Sequence, residues 1–511
     1  MRNFFKTVAI VTVFSISEKF LGFLYRIFLS RTIGTEGLGL FQVALSVFGL
    51  IFTLSCSGTP ITVSRIMTKY RAQSQGENVQ KIITAGLCFT LMTVLPICLI
   101  FILFGKHFNF LFADPRCMQI FMILLPGLIF TSIYSVLRGV FWGDKDFLPY
   151  SIIELLEEIC MIIVGIILIS KVTDVYEGAK RAGIAVLISY LFSFTLASFV
   201  FFVRKHKFKN PKSQFKPLLA SALPITAMRT ASSFTTSLIS IILPLRLIAS
   251  GMTQSGAMSA YGYAMGQALP LLFIPTTLIG SFTLVLVPEI SENFYKNKHY
   301  YLKRDLEKSI KFTTFLTCFF IPIFLVCGQE IGVIIFSSQE CGFYLSASAF
   351  LIILISLSSI TTSSLNSMGL ENKTLIYYII GGIAMLVCIW FLPSIFGIYS
   401  LLVGFVAIYG ITTILNLILI NKTCKEKPKY LKFLAECIIL TLPTSLFGLL
   451  LEKLLINLLG SFLTLLACSA LMVIFNTLLC IGFNVISGEY IINKVKTTLS
   501  STKKQKKQVV N

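Results

Sequence analysis

Residues 82–104 read IITAGLCFTLMTVLPICLIFILF, from Ile82 to Phe104, with no charged side chain. At about 1.5 Å of rise per residue, such a helix crosses the roughly 30 Å hydrocarbon core of a bilayer. The bilayer is therefore the solvent of this segment. Working outward, comparable apolar stretches recur near 7–30, 38–62, 118–138, 149–170, 182–203, 218–246, 257–287, 312–336, 345–367, 374–392, 398–420, 433–452 and 461–484. With 82–104 they predict an all-α membrane protein of about fourteen transmembrane helices and no soluble domain between them. The composition of the 511 residues agrees: 56% hydrophobic, 13% charged, with a mean hydropathy of +0.86. The first segment follows Arg2 and Lys6 as a signal peptide would. It contains Glu18, Lys19 and Arg26, however, and has no small-residue cleavage site before Arg31, so it reads as a retained helix.

Charge orients these helices, because cytoplasmic loops of membrane proteins are enriched in Lys and Arg. With both termini inside, the termini and inner loops hold 32 of the 43 Lys and Arg, the outer loops eight, and the helices three: Lys19, Arg26 and Arg229. The net charge of +21 thus reads first as topology, with the clusters at 204–216, 296–311 and 494–507 facing anionic membrane lipids. The basic runs lack aromatic interleaving and a folded host, so nucleic acid is not an expected partner.

An internal repeat organises the spans. Gly143, after Ser135-Val-Leu-Arg-Gly-Val-Phe-Trp, and Gly369, after Thr361-Thr-Ser-Ser-Leu-Asn-Ser-Met, stand at corresponding places. The unit contains six helices, so both copies enter the membrane in the same orientation and form two bundles facing a central cavity. This divides the chain into an N-terminal lobe at 1–210, a C-terminal lobe at 211–425, two additional helices at 426–490 and a polybasic tail at 491–511. Among prolines expected inside helices, Pro270 and Pro275 share one span and are the candidates for a gating kink.

Charges within spans mark the candidate site, since each costs roughly 2.5 to 3.5 kcal/mol at the bilayer centre on insertion scales. Lys19 and Arg26, seven residues apart, share a helix face, with Glu18 about 100° away. Either they line a hydrated cavity or Glu18 makes a structural ion pair. Arg229 lies in a hydroxyl-rich stretch with Thr226, Thr230, Ser233, Thr235 and Ser237. Arg65 and Arg138, at the ends of the second and fourth spans, either reach headgroups or touch a substrate. Glu154, Glu157 and Glu158 form one acidic patch that pairs with Arg138, binds a cation or proton, or excludes anions. His107, His206 and His299 sit in loops, and no nucleophile elbow, Walker loop, HExxH or metal-ligand spacing is present, so neither an enzyme nor a metal site is expected. The cysteines, with Cys327 and Cys341 the one pair near a common outer loop, read as small buried hydrophobes.

The segments Phe20-Leu-Gly-Phe-Leu-Tyr-Arg-Ile-Phe-Leu-Ser-Arg-Thr-Ile-Gly34, Ser57-Gly-Thr-Pro-Ile-Thr-Val-Ser-Arg65 and Leu137-Arg-Gly-Val-Phe-Trp-Gly143, then Pro149 and Glu157, resemble the stage V sporulation protein B branch of the polysaccharide flippases. That branch belongs with the multidrug extruders and MurJ-type lipid II flippases of the MOP superfamily. The resemblance implies two six-helix lobes in a V around a central cavity, with two C-terminal helices added. It also implies alternating-access export of an undecaprenyl-pyrophosphate-linked saccharide such as a peptidoglycan precursor, in a bacterial cell membrane, for cell-wall or sporulation cortex synthesis. Cell-wall polymerases are the implied protein partners. No cofactor is expected, and coupling would be to H⁺, Na⁺ or the membrane potential. By position, Lys19 is similar to the basic first-helix residue of the MurJ-type flippases. Where those proteins carry an arginine shortly before the eighth-helix proline, Gly262-Tyr-Ala-Met-Gly-Gln-Ala-Leu-Pro270 has no basic residue. A cation-coupled multidrug antiporter, a teichoic or capsular repeat flippase and a membrane scaffold are the competing readings.

Overall fold

The computed structural model describes residues 2–483 and 485, nearly all of them helical and none in a strand. The tail expected at 491–511 lies outside the described residues. Helix α1 (Arg2–Cys56) is 55 residues long, about 80 Å at helical rise and far more than one bilayer crossing. It breaks at Gly34, whose φ of 69° and ψ of −178° suit only a residue without Cβ. A loop expected over 31–37 is thereby reduced to a single residue. The second expected span also splits. α2 (Thr59–Ala72) restarts with Pro60 in its first turn, where the missing N–H is harmless, and the Gly58 N–H donates to Thr226 Oγ1 at 3.1 Å. The helix then continues past Arg65, which lies inside it rather than at its end.

There follow α3 (Gly76–Phe104), α4 (Pro115–Gly143), α5 (Leu148–Ile169), α6 (Val175–Val203), α7 (Phe215–Ala249) and α8 (Gln254–Tyr261). A π-helical segment, Gly262–Ala268, leads into α9 (Leu269–Tyr295), and Pro270, which cannot donate a helical bond, stands just past this wider turn. Next come α10 (His299–Phe336), α11 (Gln339–Ser348), α12 (Leu351–Ser367), α13 (Glu371–Phe391), the single turn α14 (Pro393–Phe396), α15 (Ser400–Thr423) and α16 (Leu431–Gly482). α16 repeats the device of α1: Gly460, at φ 71° and ψ 166°, breaks it. Its halves fold back on each other, with Phe447 stacked on Phe475 at 4.3 Å between ring centroids.

Among the described residues, eleven helices are long and apolar enough to cross a membrane, or twelve if α11 and α12, bent by 58°, form one span. α5 is outside that count because it carries Glu154, Glu157 and Glu158, and one span in it, Val13–Ala72, is 60 residues long and contains Gly34. The figure of about fourteen stays an expectation. Large apolar side chains such as Leu103 (65% exposed), Ile167 (66%) and Leu458 (77%) project outward, which a water-soluble surface of this extent would not tolerate.

By packing the chain forms two units: Met1–Pro270 with Gly382–Gly404, and Leu271–Gly381 with Phe405–Asn511. In unit 1, α4 is central, packed by α1, α2, α3 and α6, over a core that includes Val63, Ile82, Phe141 and Phe201. Backbones touch where α1 crosses α8 and the π segment: a Cβ on Gly262 would lie 1.9 Å from the Thr35 carbonyl oxygen, and one on Gly39 2.0 Å from that of Met258. In unit 2, α9, α10, α12 and α15 share the core of Leu286, Leu306, Leu365 and Ile420, and α16 packs along α10.

Candidate functional site

The candidate charges gather in unit 1, and the local sequence explains how. Gly139 has no Cβ because one would lie 2.4 Å from the Pro60 carbonyl oxygen, so α2 crosses α4 there. One residue earlier, Arg138 leaves α4 toward α5. Its Nη1 donates to Glu154 Oε1 at 2.7 Å, and its guanidinium lies over the Trp142 ring, one turn along the same helix, at 5.1 Å. Both side chains are largely withdrawn from solvent, at 26% and 20% exposure. The Arg138 Nε–H is buried and has no acceptor.

The other two acids of the patch, also on α5, face two further helices. Glu157 lies beside the Ser193 hydroxyl of α6, while Glu158 faces Glu18 and Arg26 of α1. Glu18 in turn is within electrostatic reach of Glu154, Lys19 and Arg138. Small residues make this possible. A Cβ on Gly22 would lie 2.9 Å from Glu158 Oε1, and one on Gly165 would overlap the Tyr25 ring, so α1 and α5 approach closely. Each carboxylate thus has a cation within range, which a low-dielectric interior requires.

Lys19 and Arg26 differ although they share a face by spacing: Lys19 is exposed, whereas Arg26 is half-buried against Glu158. Arg229, also exposed, lies on α7, which packs on α1, α2 and α3 within unit 1. Buried Cys56 stands within electrostatic reach of both Arg138 and Arg229 and beside the hydroxyls of Ser132 and Ser135. Arg65 is exposed on α2, and its Nη2 donates to Ser221 Oγ of α7. Lys19, Arg138 and Arg229 therefore lie on α1, α4 and α7, with α1 packed against both of the others. Pro270 stands next to a buried contact, Gln267 Nε2 to Ser30 Oγ of α1, and Pro275 lies inside α9.

Two charged clusters were not anticipated from the residues. Asp144, in the α4–α5 turn, binds Arg71 of α2, His206 Nε2 at 3.0 Å and Arg204 Nη1 at 3.7 Å, while Arg204 also holds Asp146. At the opposite end of α4, Arg116 bridges Asp114 at 2.7 Å and Glu36 at 2.6 Å. The Asp114-Pro115 pair, an N-cap followed by a first-turn proline, was the available signal for the second cluster. Nothing local marked the first, whose members run from Arg71 to His206.

This fold, many apolar helices with ion pairs inside one unit, is that of a multi-pass membrane protein. Residues 4–294, more than half of the chain, match the family described as polysaccharide biosynthesis protein, and the chain belongs to that family. It is 24% identical over 398 residues to stage V sporulation protein B of Bacillus subtilis (strain 168), covering 75% of this chain and 76% of that one. It is also 24% identical over 342 residues to the lipid II flippase MurJ of the same organism, covering 60% and 61%. A solved structure described as lipid II flippase MurJ in an inward closed conformation superposes with a TM-score of 0.74 at 15% identity, over 94% of this chain and 100% of that one. The fold is therefore that of this solved structure.

Proposed function

We propose that this protein flips an undecaprenyl-pyrophosphate-linked saccharide, with a peptidoglycan precursor of the lipid II type as its cargo, from the inner to the outer leaflet of a bacterial cell membrane. The observation that carries the reading is the placement of Lys19, Arg138 and Arg229 within membrane-length helices of unit 1, on α1, α4 and α7, where α1 packs against both of the others. A pyrophosphate entering a bilayer loses hydration, and charge-assisted bonds from Arg and Lys replace it. Arg65, hydrogen-bonded to a neutral hydroxyl, makes the first contact, and Arg26 lies farther along the path. The isoprenoid tail stays in lipid while the protein alternates between inward-open and outward-open states around the headgroup, with Pro270 and Pro275 as the hinge. Both termini are cytoplasmic in this reading, as the distribution of Lys and Arg requires.

The membrane potential is a natural energy source. Each negative charge moving outward across an inside-negative potential gains about 2.3 kcal/mol per 100 mV. The relationship to a sporulation protein supports a role in cortex synthesis, and the one to MurJ supports the cargo. The test is depletion of the native lipid II flippase in a host supplied with this chain. Restored growth and outward exposure of the precursor are expected. Failure to restore either, together with transport of a teichoic or capsular lipid intermediate or of a cationic drug, would replace this cargo by that one.

A further inference from the structure

We propose that Glu330 of α10 and Glu452 of α16 share one proton, and that this proton latches the C-terminal hairpin, formed by the two halves of α16, onto α10. The cargo plays no part in it. Packing sets the layer in which the two acids meet. A Cβ on Gly448 would overlap Met472 Sδ of the returning half of α16 and lie 3.2 Å from Val326 Cγ2 of α10, so three helical segments touch at this level. One turn further toward the break at Gly460 stand Glu452, Cys468 and Glu330, four residues from Gly448, Met472 and Val326 and on the same faces. The two carboxyls are in side-chain hydrogen-bonding contact. The thiols of Cys327 and Cys468, 1% and 0% exposed, lie within electrostatic reach of both.

An ionised carboxylate only accepts hydrogen bonds, so a bond between two carboxyls needs a proton on one of them. No cation removes that need. Lys453 follows Glu452 but is not among the groups that act on it. The other charged residues of α10 run from His299 to Lys311, far from Glu330, and the remaining ones of α16, Lys432 and Glu436, pair at 3.6 Å near its start. Of the other helices packed on α10, α12 carries no charge, and α11 carries Glu340, which accepts from Ser338 Oγ at 3.1 Å. Glu330 Oε2 is buried and has no donor. Ionising both acids would set two like charges side by side in an apolar seam.

The shared proton therefore holds the seam closed. When it leaves, the two carboxylates repel and the Gly460 end of the hairpin moves off α10. The stabilisation is full at low pH and is lost as pH rises. Cys327 and Cys468, buried beside the acids, become accessible as the seam opens.

The experiment uses the full chain in nanodiscs and these native thiols as reporters. N-ethylmaleimide labelling of Cys327 and Cys468 is followed by peptide mass spectrometry, each rate divided by that of the same cysteine in the denatured chain at the same pH, which cancels the ordinary rise in thiolate. In the wild type this ratio is expected to rise about tenfold between about pH 5 and about pH 9. Glu452→Gln and Glu330→Gln each replace the shared proton by an amide N–H, and in both the ratio is expected to stay low throughout. Infrared difference spectra between the two pH values should show a protonated-carboxyl band that the wild type loses and neither variant contains. Thermal unfolding gives a second readout: the wild type is expected to lose stability as pH rises and the two variants to lose less.

A wild-type ratio that does not change with pH, or one that rises equally in both Gln variants, would overturn the latch. A carboxyl band that persists unchanged in both variants would overturn the shared proton. Neither result bears on the flippase reading.

Discussion

Unit 1 and unit 2 are both helix bundles, yet they bury polarity in different ways. In unit 1, Arg138, Glu154, Glu157, Glu158, Glu18 and Arg26 form ion pairs and close charge contacts within spans. In unit 2 the fully buried polar side chains among the described residues are hydroxyls and amides apart from Asp305, and the charged groups that meet within spans are two carboxyls, Glu330 of α10 and Glu452 of α16, rather than a network of acids and cations. Asn416 shows the second style, its Nδ2 donating to Thr361 Oγ1 at 3.1 Å and Thr362 Oγ1 at 2.9 Å. Hydroxyls on helices bond back to their own turn, as Thr314 does to the Ile310 carbonyl, so they need no outside partner. Charges cannot satisfy themselves in this way. They persist in a membrane where a function needs them. The difference supports the proposal that headgroup recognition belongs to unit 1.

The strongest way to break this comparison is Arg138→Gln. It leaves Glu154 without its cation, and transport is expected to fall at least a hundredfold, with a loss of about 3 to 5 kcal/mol in stability. Thermal unfolding and vesicle transport of Arg138→Gln and of the double variant with Glu154→Gln separate the two effects. The double variant should recover stability and stay inactive. The next largest effect is expected from Gly262→Ala. A Cβ there overlaps the Thr35 carbonyl, and thermal unfolding should report a loss of about 1 to 3 kcal/mol or more, because backbone rather than a mobile side chain must move.

Asn416→Ala in unit 2 sharpens the comparison from the other side. Two hydrogen bonds are lost and stability drops by about 1 to 3 kcal/mol, while affinity for a prenyl pyrophosphate is unchanged. Binding lost as completely as in Arg138→Gln would erase the distinction between the units. Gly460→Ala should cost about 1 to 2 kcal/mol from its positive φ alone. The smallest effect belongs to Lys296→Gln. Its i,i+4 pair with Glu292 is solvent-exposed, and the chemical-unfolding midpoint should not move measurably.

Much of the architecture was readable in the residues because a bilayer demands long apolar runs, and Ile82 to Phe104 does lie within α3. The break at Gly34 was harder to place. A glycine ends a helix only if its φ turns positive, and its neighbours Ile33 and Thr35 carry no trace of that. The restart at Pro60 was visible as a proline but not as a new helix, which is why Arg65 was placed at a helix end. The pairing of the α5 acids with Arg138 was one of the options the spacing allowed, since Glu154 follows Arg138 across a short turn. Separating Lys19 from Arg26 needed the position of α5. Equal helical phase gives two side chains one direction, but only the neighbouring helix decides that Arg26 meets Glu158 and Lys19 meets open space. The Asp144 cluster joins α2, a turn and the chain beyond α6, and no local pattern encodes such a meeting.

The central claim, that cations of unit 1 hold the anionic headgroup of a lipid-linked saccharide, is tested most directly by reconstitution. Vesicles containing the wild type or the triple variant Lys19→Gln, Arg138→Gln, Arg229→Gln would be loaded with lipid II, and its appearance on the opposite leaflet followed over time. The wild type is expected to equilibrate the lipid and the triple variant, folded to the same extent, to leave it where it was placed. Equal rates in the two would contradict the claim.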